Sequence, residues 1–109
     1  MRTGTIEITE ATVVDDDLVG AMARLVPQLS NSGSPPDAEA LEAIVASDSS
    51  VLLIAVSERV IVGALTLVLF RIPTGLRAWI EDVIVDEAAR GRGIGEALNQ
   101  AAIERARVA

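Results

Sequence analysis

The segment from Val83 to Glu96 restricts the fold more than any other part of the chain. A β-branched run, Val83-Ile84-Val85, leads into three glycines at alternate positions, Gly91, Gly93 and Gly95, and helical apolar spacing opens inside that turn at Ile94. A strand must therefore hand over to a helix within a few residues. Glycines let successive backbone N–H groups converge without Cβ obstruction, and a helix start adds unpaired donors and a partial positive charge. The product is an anion cradle, and Arg90 and Arg92 beside it suit a pyrophosphate better than a lone carboxylate.

Two familiar phosphate loops do not match it. A P-loop needs Gly-x-x-x-x-Gly-Lys-Ser/Thr, and neither the Lys nor the hydroxyl residue follows these glycines. A dinucleotide fingerprint needs Gly-x-Gly-x-x-Gly, and counting from Gly91 puts Glu96 at the third glycine. Nucleoside triphosphate hydrolysis and dinucleotide binding are thus disfavoured. The bland alternative is a glycine turn that only links strand to helix.

Patterning elsewhere supplies a single domain. Thr5 to Val13 alternates as a strand, and Asp15, Asp16 and Asp17 provide N-cap and first-turn carboxylates for a helix whose stripe is Leu18, Met22, Leu25 and Leu29. Capping accounts for these three acids, although they could also attract an amine. Pro27 is expected to kink or shorten the last turn. Ser30 to Pro36 reads as a loop and the most mobile segment; Asp37 to Ala46 reads as a short helix with Leu41, Ile44 and Val45 inward. Val51–Val56 and Val60–Phe70 form an antiparallel hairpin around Ser57-Glu58-Arg59, which lacks the usual Asn or Gly. Ile72-Pro73-Thr74-Gly75 is the next turn, Ala78 to Val85 a further strand, and Ile94 to Arg107 a helix with Ile94, Ala97, Leu98, Ala101, Ala102 and Ala106 inward. Strand, two helices, three strands and a helix describe an α+β (α/β layered) fold, with helices flanking a mostly antiparallel sheet.

Composition narrows the chemistry. Of 109 residues, 50% are apolar, enough for a core, but aromatic content is only 2% with no Tyr, so that core must be aliphatic. The apolar stretches are interrupted by Ser57-Glu58-Arg59 and fall short of the roughly 20 residues a membrane helix needs. Met1 to Glu10 alternates and lacks the apolar block of a secretion signal, and there is no Cys; both point to the cytoplasm. Without Cys or His, thiolate nucleophiles and the commonest metal ligands are absent, and no metal is expected. A net charge of -7 argues against nucleic acid and is compatible with a cationic small substrate, though solubility is the simpler explanation, since net charge bears on solubility before function.

Arg90-Gly91-Arg92-Gly93-Ile94-Gly95 matches the Arg/Gln-x-x-Gly-x-Gly/Ala signature of the GNAT superfamily of N-acetyltransferases, and Trp79-Ile80-Glu81-Asp82-Val83-Ile84-Val85 resembles its fourth strand. The resemblance covers the whole chain in element order, with distinctive residues in the last third. It implies acetyl-CoA as acyl donor: backbone of Val83, Ile84 and Val85 pairs with the pantetheine amides, and amides from Gly91 through Arg92, Gly93, Ile94 and Gly95 to Glu96 receive the pyrophosphate. Arg90 and Arg92 supplement the cradle, Arg92 facing solvent. The resemblance further implies direct attack of a neutral amine on the thioester carbonyl, polarised by a fourth-strand N–H.

Glu81 is the candidate base, with Asp82 expected on the opposite strand face. An ion-paired or solvated strand residue is the plain alternative for Glu81. The acceptor is a small-molecule or peptide amine, and Ser30 to Pro36 lies where the family often has an acceptor-side lid. GNAT domains continue with a fifth strand, a helix and a final hairpin, including a Tyr that protonates the departing thiolate. The resemblance therefore implies a single domain represented by its N-terminal two-thirds, with C-terminal strands missing and Ala78–Val85 at an open edge. A homodimer could cover that edge. The competing function is a non-catalytic acyl-CoA-binding or protein-interaction module.

Overall fold

The computed structural model describes residues 5–29 and 34–109. Met1–Gly4, read above for a secretion signal, and Ser30–Gly33, the first part of the expected mobile loop, lie outside the described residues. The elements are β1 (Ile6–Glu10), α1 (Asp16–Leu29), α2 (Ala38–Ala46), β2 (Ser50–Ser57), β3 (Val60–Ile72), β4 (Gly75–Val85), a 3₁₀ turn (Glu87–Ala89) and α3 (Ile94–Arg107). The strands form one antiparallel sheet in the order β1-β2-β3-β4, so the expected α+β architecture is what the chain adopts.

Each face of the sheet carries its own aliphatic layer. Val51, Leu53, Ala55, Leu65 and Leu67 pack with Ile94, Leu98 and Ala102 of α3. The residues between them, Leu52 and Ala64, join Ile84 on the other face and pack with Leu18, Met22 and Leu25 of α1 and Leu41 of α2. The two-residue period of the strands thus feeds two different helix layers. Leu25, Leu65 and Leu98 have no exposed surface, and burying each such side chain stabilises the fold by about 1.5–3 kcal/mol. Phe70 and Trp79, the only aromatic residues, lie outside this core at 39% and 59% exposure.

Turn and cap chemistry places the boundaries. The Asp15 carboxylate accepts from Leu18 N at 2.9 Å and starts α1, which ends β1 sooner than Thr5–Val13 suggests. Asp37 caps α2 through Ala40 N at 2.9 Å. Pro27 lies inside α1, which still runs to Leu29. Only Pro73 and Thr74 turn between β3 and β4, because Ile72 already pairs with Gly75; both strands are longer than their apolar runs. Ser57 pairs with Val60, leaving Glu58 and Arg59 as the other two-residue turn, with φ of 51° and 68°. Positive φ at both central positions is what a type I′ turn requires, and here two side chains adopt it without Asn or Gly.

One glycine sets the distance between sheet and helix. A Cβ on Gly63 would lie 3.0 Å from the Ile84 carbonyl oxygen, 3.1 Å from Ile94 Cγ2 and 3.3 Å from Leu98 Cδ1, so a side chain here would push α3 and β4 back by a few tenths of an ångström. Gly63→Ala is expected to lower stability by about 1–3 kcal/mol in urea unfolding. Arg59→Gly is expected to raise it by roughly 1 kcal/mol, because it relieves a left-handed side-chain position.

Candidate functional site

Among the described residues β4 pairs only with β3, and that pairing breaks its regularity at one place. Thr66 pairs with Glu81 and Ala64 with Ile84, so Leu65 alone spans both Asp82 and Val83, and Asp82 takes φ 50°. This is a β-bulge, which bends the strand and shifts its side-chain alternation. Glu81 shares a face with Trp79, through their partners Thr66 and Val68, on the α1/α2 side; Val83 and Val85 pack against the α3 layer. The strict alternation that sets Glu81 and Asp82 simply on opposite faces does not run through this point, because the bulge adds a residue. Trp79 Nε1 donates to Glu81 Oε1 at 3.1 Å, and both side chains are exposed.

Beyond the bulge, β4 ends in a junction that pins α1. The half-buried Asp86 carboxylate accepts from Ala88 N at 3.1 Å, initiating the 3₁₀ turn, and pairs with Arg24 Nε at 3.1 Å. Arg24 also donates to the Ile61 carbonyl, while Gln28 Oε1 accepts from Glu87 N at 2.8 Å. The Ala88 amide, ahead of Arg24 and Gln28, holds the Asp86 carboxyl below its ordinary value, against an upward push from desolvation. Sequence reasoning does not find this cluster, since Arg24 and Asp86 are 62 positions apart.

The glycine loop follows. Gly91 and Gly93 have φ of 86° and 75°, and added Cβ atoms would meet nothing within 4 Å, so these residues serve backbone conformation and leave open space above the loop. Gly95 differs: its φ is ordinary for a helix, and a Cβ would make normal contact with Val85 at 3.6 Å, so alanine would fit there. Gly93 is the N-cap of α3 and provides no side-chain cap. The first bond into the helix is Ala97 N to Gly93 O at 3.0 Å, so the amides of Ile94, Gly95 and Glu96 precede the helical ladder.

The flanking side chains are placed unevenly. Ile94 is 2% exposed and anchors the helix start in the α3 layer, whereas Glu96 is exposed. Exposed Arg90 reaches back loosely to the Val85 carbonyl at 3.4 Å. Arg92 departs from expectation: it is half-buried and donates to the buried Ser57 hydroxyl at 3.0 Å instead of facing solvent, because α3 brings the loop against the end of β2. Ile84, 6% exposed, packs toward α1 and α2 and turns its backbone groups toward β3, so of the three strand residues expected to meet a ligand only Val83 and Val85 face the outer edge. Val83–Val85 and the loop from Arg90 to Glu96 are therefore brought together. Glu81 is set apart from them by the bulge.

Among the described residues the outer side of β4 meets no strand and leads into a glycine turn whose helix amides precede the helical ladder, an arrangement that a chain of amides ending in a pyrophosphate would fit. The family model of the acetyltransferase (GNAT) family matches residues 16–109.

The chain belongs to the GNAT acetyltransferase family.

That membership makes it an N-acetyltransferase by class. Solved structures with the same GNAT fold include an aminoglycoside acetyltransferase from an uncultured soil metagenomic sample, at 24% identity and TM-score 0.80, over 94% of this chain and 70% of that one. Another is the ribosomal-protein-alanine N-acetyltransferase of Brucella melitensis biovar Abortus 2308, at 21% identity and TM-score 0.75, over 94% and 72%. A transcriptional regulator from Bacillus halodurans C-125 has 32% identity and TM-score 0.72, over 94% and 75%. No curated protein matches the sequence. Among the described residues, no helix is long and apolar enough to cross a membrane, and no group of His, Cys, Asp or Glu is placed to hold a metal ion.

A cavity of about 440 Å³ lies away from the GNAT loop, between the start of α1 and the β2–β3 hairpin; Asp15, Asp17, Arg24 and Arg59 line it. Arg24 joins its wall to the Asp86 junction. Because the Asp86 carboxyl is held below its unfolded value, its stabilisation is present above that value and disappears as the pH falls through the folded one. Asp86→Asn is expected to cost about 0.5–1 kcal/mol at neutral pH, discounted for the exposed Arg24. In urea titrations at successive pH values, the gap from wild type should close below about pH 4.

Proposed function

We propose that the chain binds acetyl-CoA along Val83–Val85 and in the Arg90–Glu96 loop, and transfers the acetyl group to a primary amine. The observation that carries this reading is the pair Gly91 and Gly93, both left-handed beneath open space, at the mouth of a helix with no side-chain cap. When bound, the acyl donor supplies a thioester whose carbonyl carbon is open to direct attack. The amides of Ile94, Gly95 and Glu96, with those of the glycine turn, donate to the pyrophosphate, and Arg90 adds positive charge. Arg92, braced on Ser57, holds the loop against β2 as well as contributing charge. Outward-facing backbone of Val83 and Val85, on either side of Ile84, whose own N–H and C=O turn toward β3, bonds to the pantetheine amides. A strand N–H near the bulge polarises the thioester carbonyl.

Glu81 accepts the proton of the attacking amine, directly or through one water, with Trp79 Nε1 steering its carboxylate, while the new C–N bond replaces the thioester C–S bond and the departing thiolate takes a proton from solvent. The acceptor class remains a small-molecule or peptide amine, in keeping with neighbours named for aminoglycosides and for the alanine of ribosomal proteins. Absence of Cys fits a cytoplasmic protein, and the outer side of β4, which no strand of the described residues covers, is compatible with a homodimer. That same edge favours a second reading, a non-catalytic acyl-CoA-binding or protein-interaction module that completes its sheet with a partner.

Titration calorimetry of acetyl-CoA is expected to show binding that Gly93→Glu abolishes, since a carboxylate side chain would enter the cradle. Heat that survives this substitution, or none from the folded wild-type chain, would remove the donor site from Gly91–Glu96. Glu81→Gln is expected to lower kcat by roughly 10²–10⁴-fold with little change in acetyl-CoA affinity. Unchanged kcat would place the base elsewhere, and binding without turnover on any amine would favour the second reading.

A further inference from the structure

The cavity between α1 and the β2–β3 hairpin exists because two helices share one sheet face unequally. α1 packs over β3 and β4, and α2 over β2, where Leu41 joins Leu52 in one layer. Neither closes over the last residues of β2, so Ile54 and Val56 stay half-buried and line an opening of about 440 Å³, with Leu18 and Ala21 of α1 and Ile61 of β3 around them. An apolar lining and this volume suit a small molecule. The opening lies over β2 and the start of β3, away from the outer side of β4. Its charges are sorted by end. Asp17 is in the first turn of α1, and Arg59 is in the hairpin turn just before Ile61, whose carbonyl accepts from Arg24. Arg24 thus marks the Arg59 end, about two turns of helix, or about 10 Å, from Asp17.

Most charged groups at this opening are already engaged. Asp15 caps α1, Glu10 pairs with Arg105, and Arg24 is held by Asp86 and the Ile61 carbonyl. Two are not: the exposed Asp17 carboxylate and Arg59 guanidinium have no hydrogen bond or ion pair among the described residues. Arg59 also holds φ 68°, a left-handed position that Gly or Asn adopts at less cost, and no polar contact within the described chain offsets it. We propose that the groove binds a small aliphatic zwitterion with its charges at opposite ends, the class of the ω-amino acids, with its ammonium at Asp17, its carboxylate at Arg59 and its methylenes on Ile54 and Val56. An α-amino acid carries both charges at one end, and a monocarboxylate or an alkylamine carries only one; each leaves Asp17 or Arg59 unmatched. α1, which reaches β4 and grips Asp86, stands between the groove and Val83–Val85. The site is therefore separate from that of the acyl donor, and its occupancy does not depend on that reading.

Titration of ε-aminocaproate into the isotope-labelled chain, followed through the backbone amide shifts of Ala21, Val56 and Val60, tests the proposal. Saturable shifts at these amides are expected, with norleucine, caproate and hexylamine each binding more weakly by roughly fivefold or more. Arg59→Gly should fold at least as well as wild type, weaken ε-aminocaproate to the level of hexylamine and leave hexylamine unchanged. Asp17→Asn should weaken it to the level of caproate and leave caproate unchanged. A wild type without saturable shifts at these amides, equal affinity for norleucine, or either folded variant binding ε-aminocaproate as wild type does would each overturn the proposal.

Discussion

Every strand in an antiparallel sheet offers hydrogen-bonding groups to both sides, and in β4 one side is taken by β3 while the other meets no strand of the described chain. The rest of the site depends on how that free side is divided. The Asp82 bulge cuts it into an upstream stretch, where Arg77, Trp79 and Glu81 share a face, and a downstream stretch, Val83–Val85, that runs into the glycine loop. Without the bulge the alternation of the strand would continue, and Glu81 would share a face with Val83 and Val85 toward α3. With it, an exposed carboxylate and an exposed indole stand on the α1/α2 side while the next residues pack inward.

The surrounding fold holds this strand from both faces. Gly63 lets α3 approach until Ile94 and Leu98 meet the sheet, which brings the N-terminus of α3 beside the end of β4. On the opposite face, Arg24 and Gln28 of α1 grip Asp86 and Glu87 immediately after the strand. The glycine loop between these attachments has little freedom in where it begins and ends, so its own glycines only need to supply the conformation. An aliphatic core suffices for this, because helix-to-sheet contact is made by Leu, Ile, Val and Ala at strand and helix spacing.

Much of this was legible beforehand, and for identifiable reasons. Two-residue alternation marked the strands, the stripe Leu18-Met22-Leu25 marked α1, and Asp15 and Asp37 marked helix starts, since caps and periodicity are local properties. The left-handed turn at Gly91 and Gly93 could be read because glycine is the residue that adopts positive φ without strain. What escaped were boundaries and side-chain positions set by other elements: Glu58 and Arg59 adopting the backbone of a turn that favours Asn and Gly, Arg92 turning inward to Ser57, and the bulge that re-sorts Glu81 and Asp82. None of these leaves a mark in the spacing of its own segment.

By itself the sequence determined the element order and the aliphatic composition of the core, because each follows from the torsional and hydrophobic preferences of residues close together in the chain. Only the tertiary structure decided which residues share the β4 face, that Arg24 meets Asp86 across 62 positions, and that the missing side chain of Gly63 lets α3 sit this close to the sheet. Those outcomes depend on register and on distances between segments far apart in sequence. They are settled when the two aliphatic layers close on the sheet.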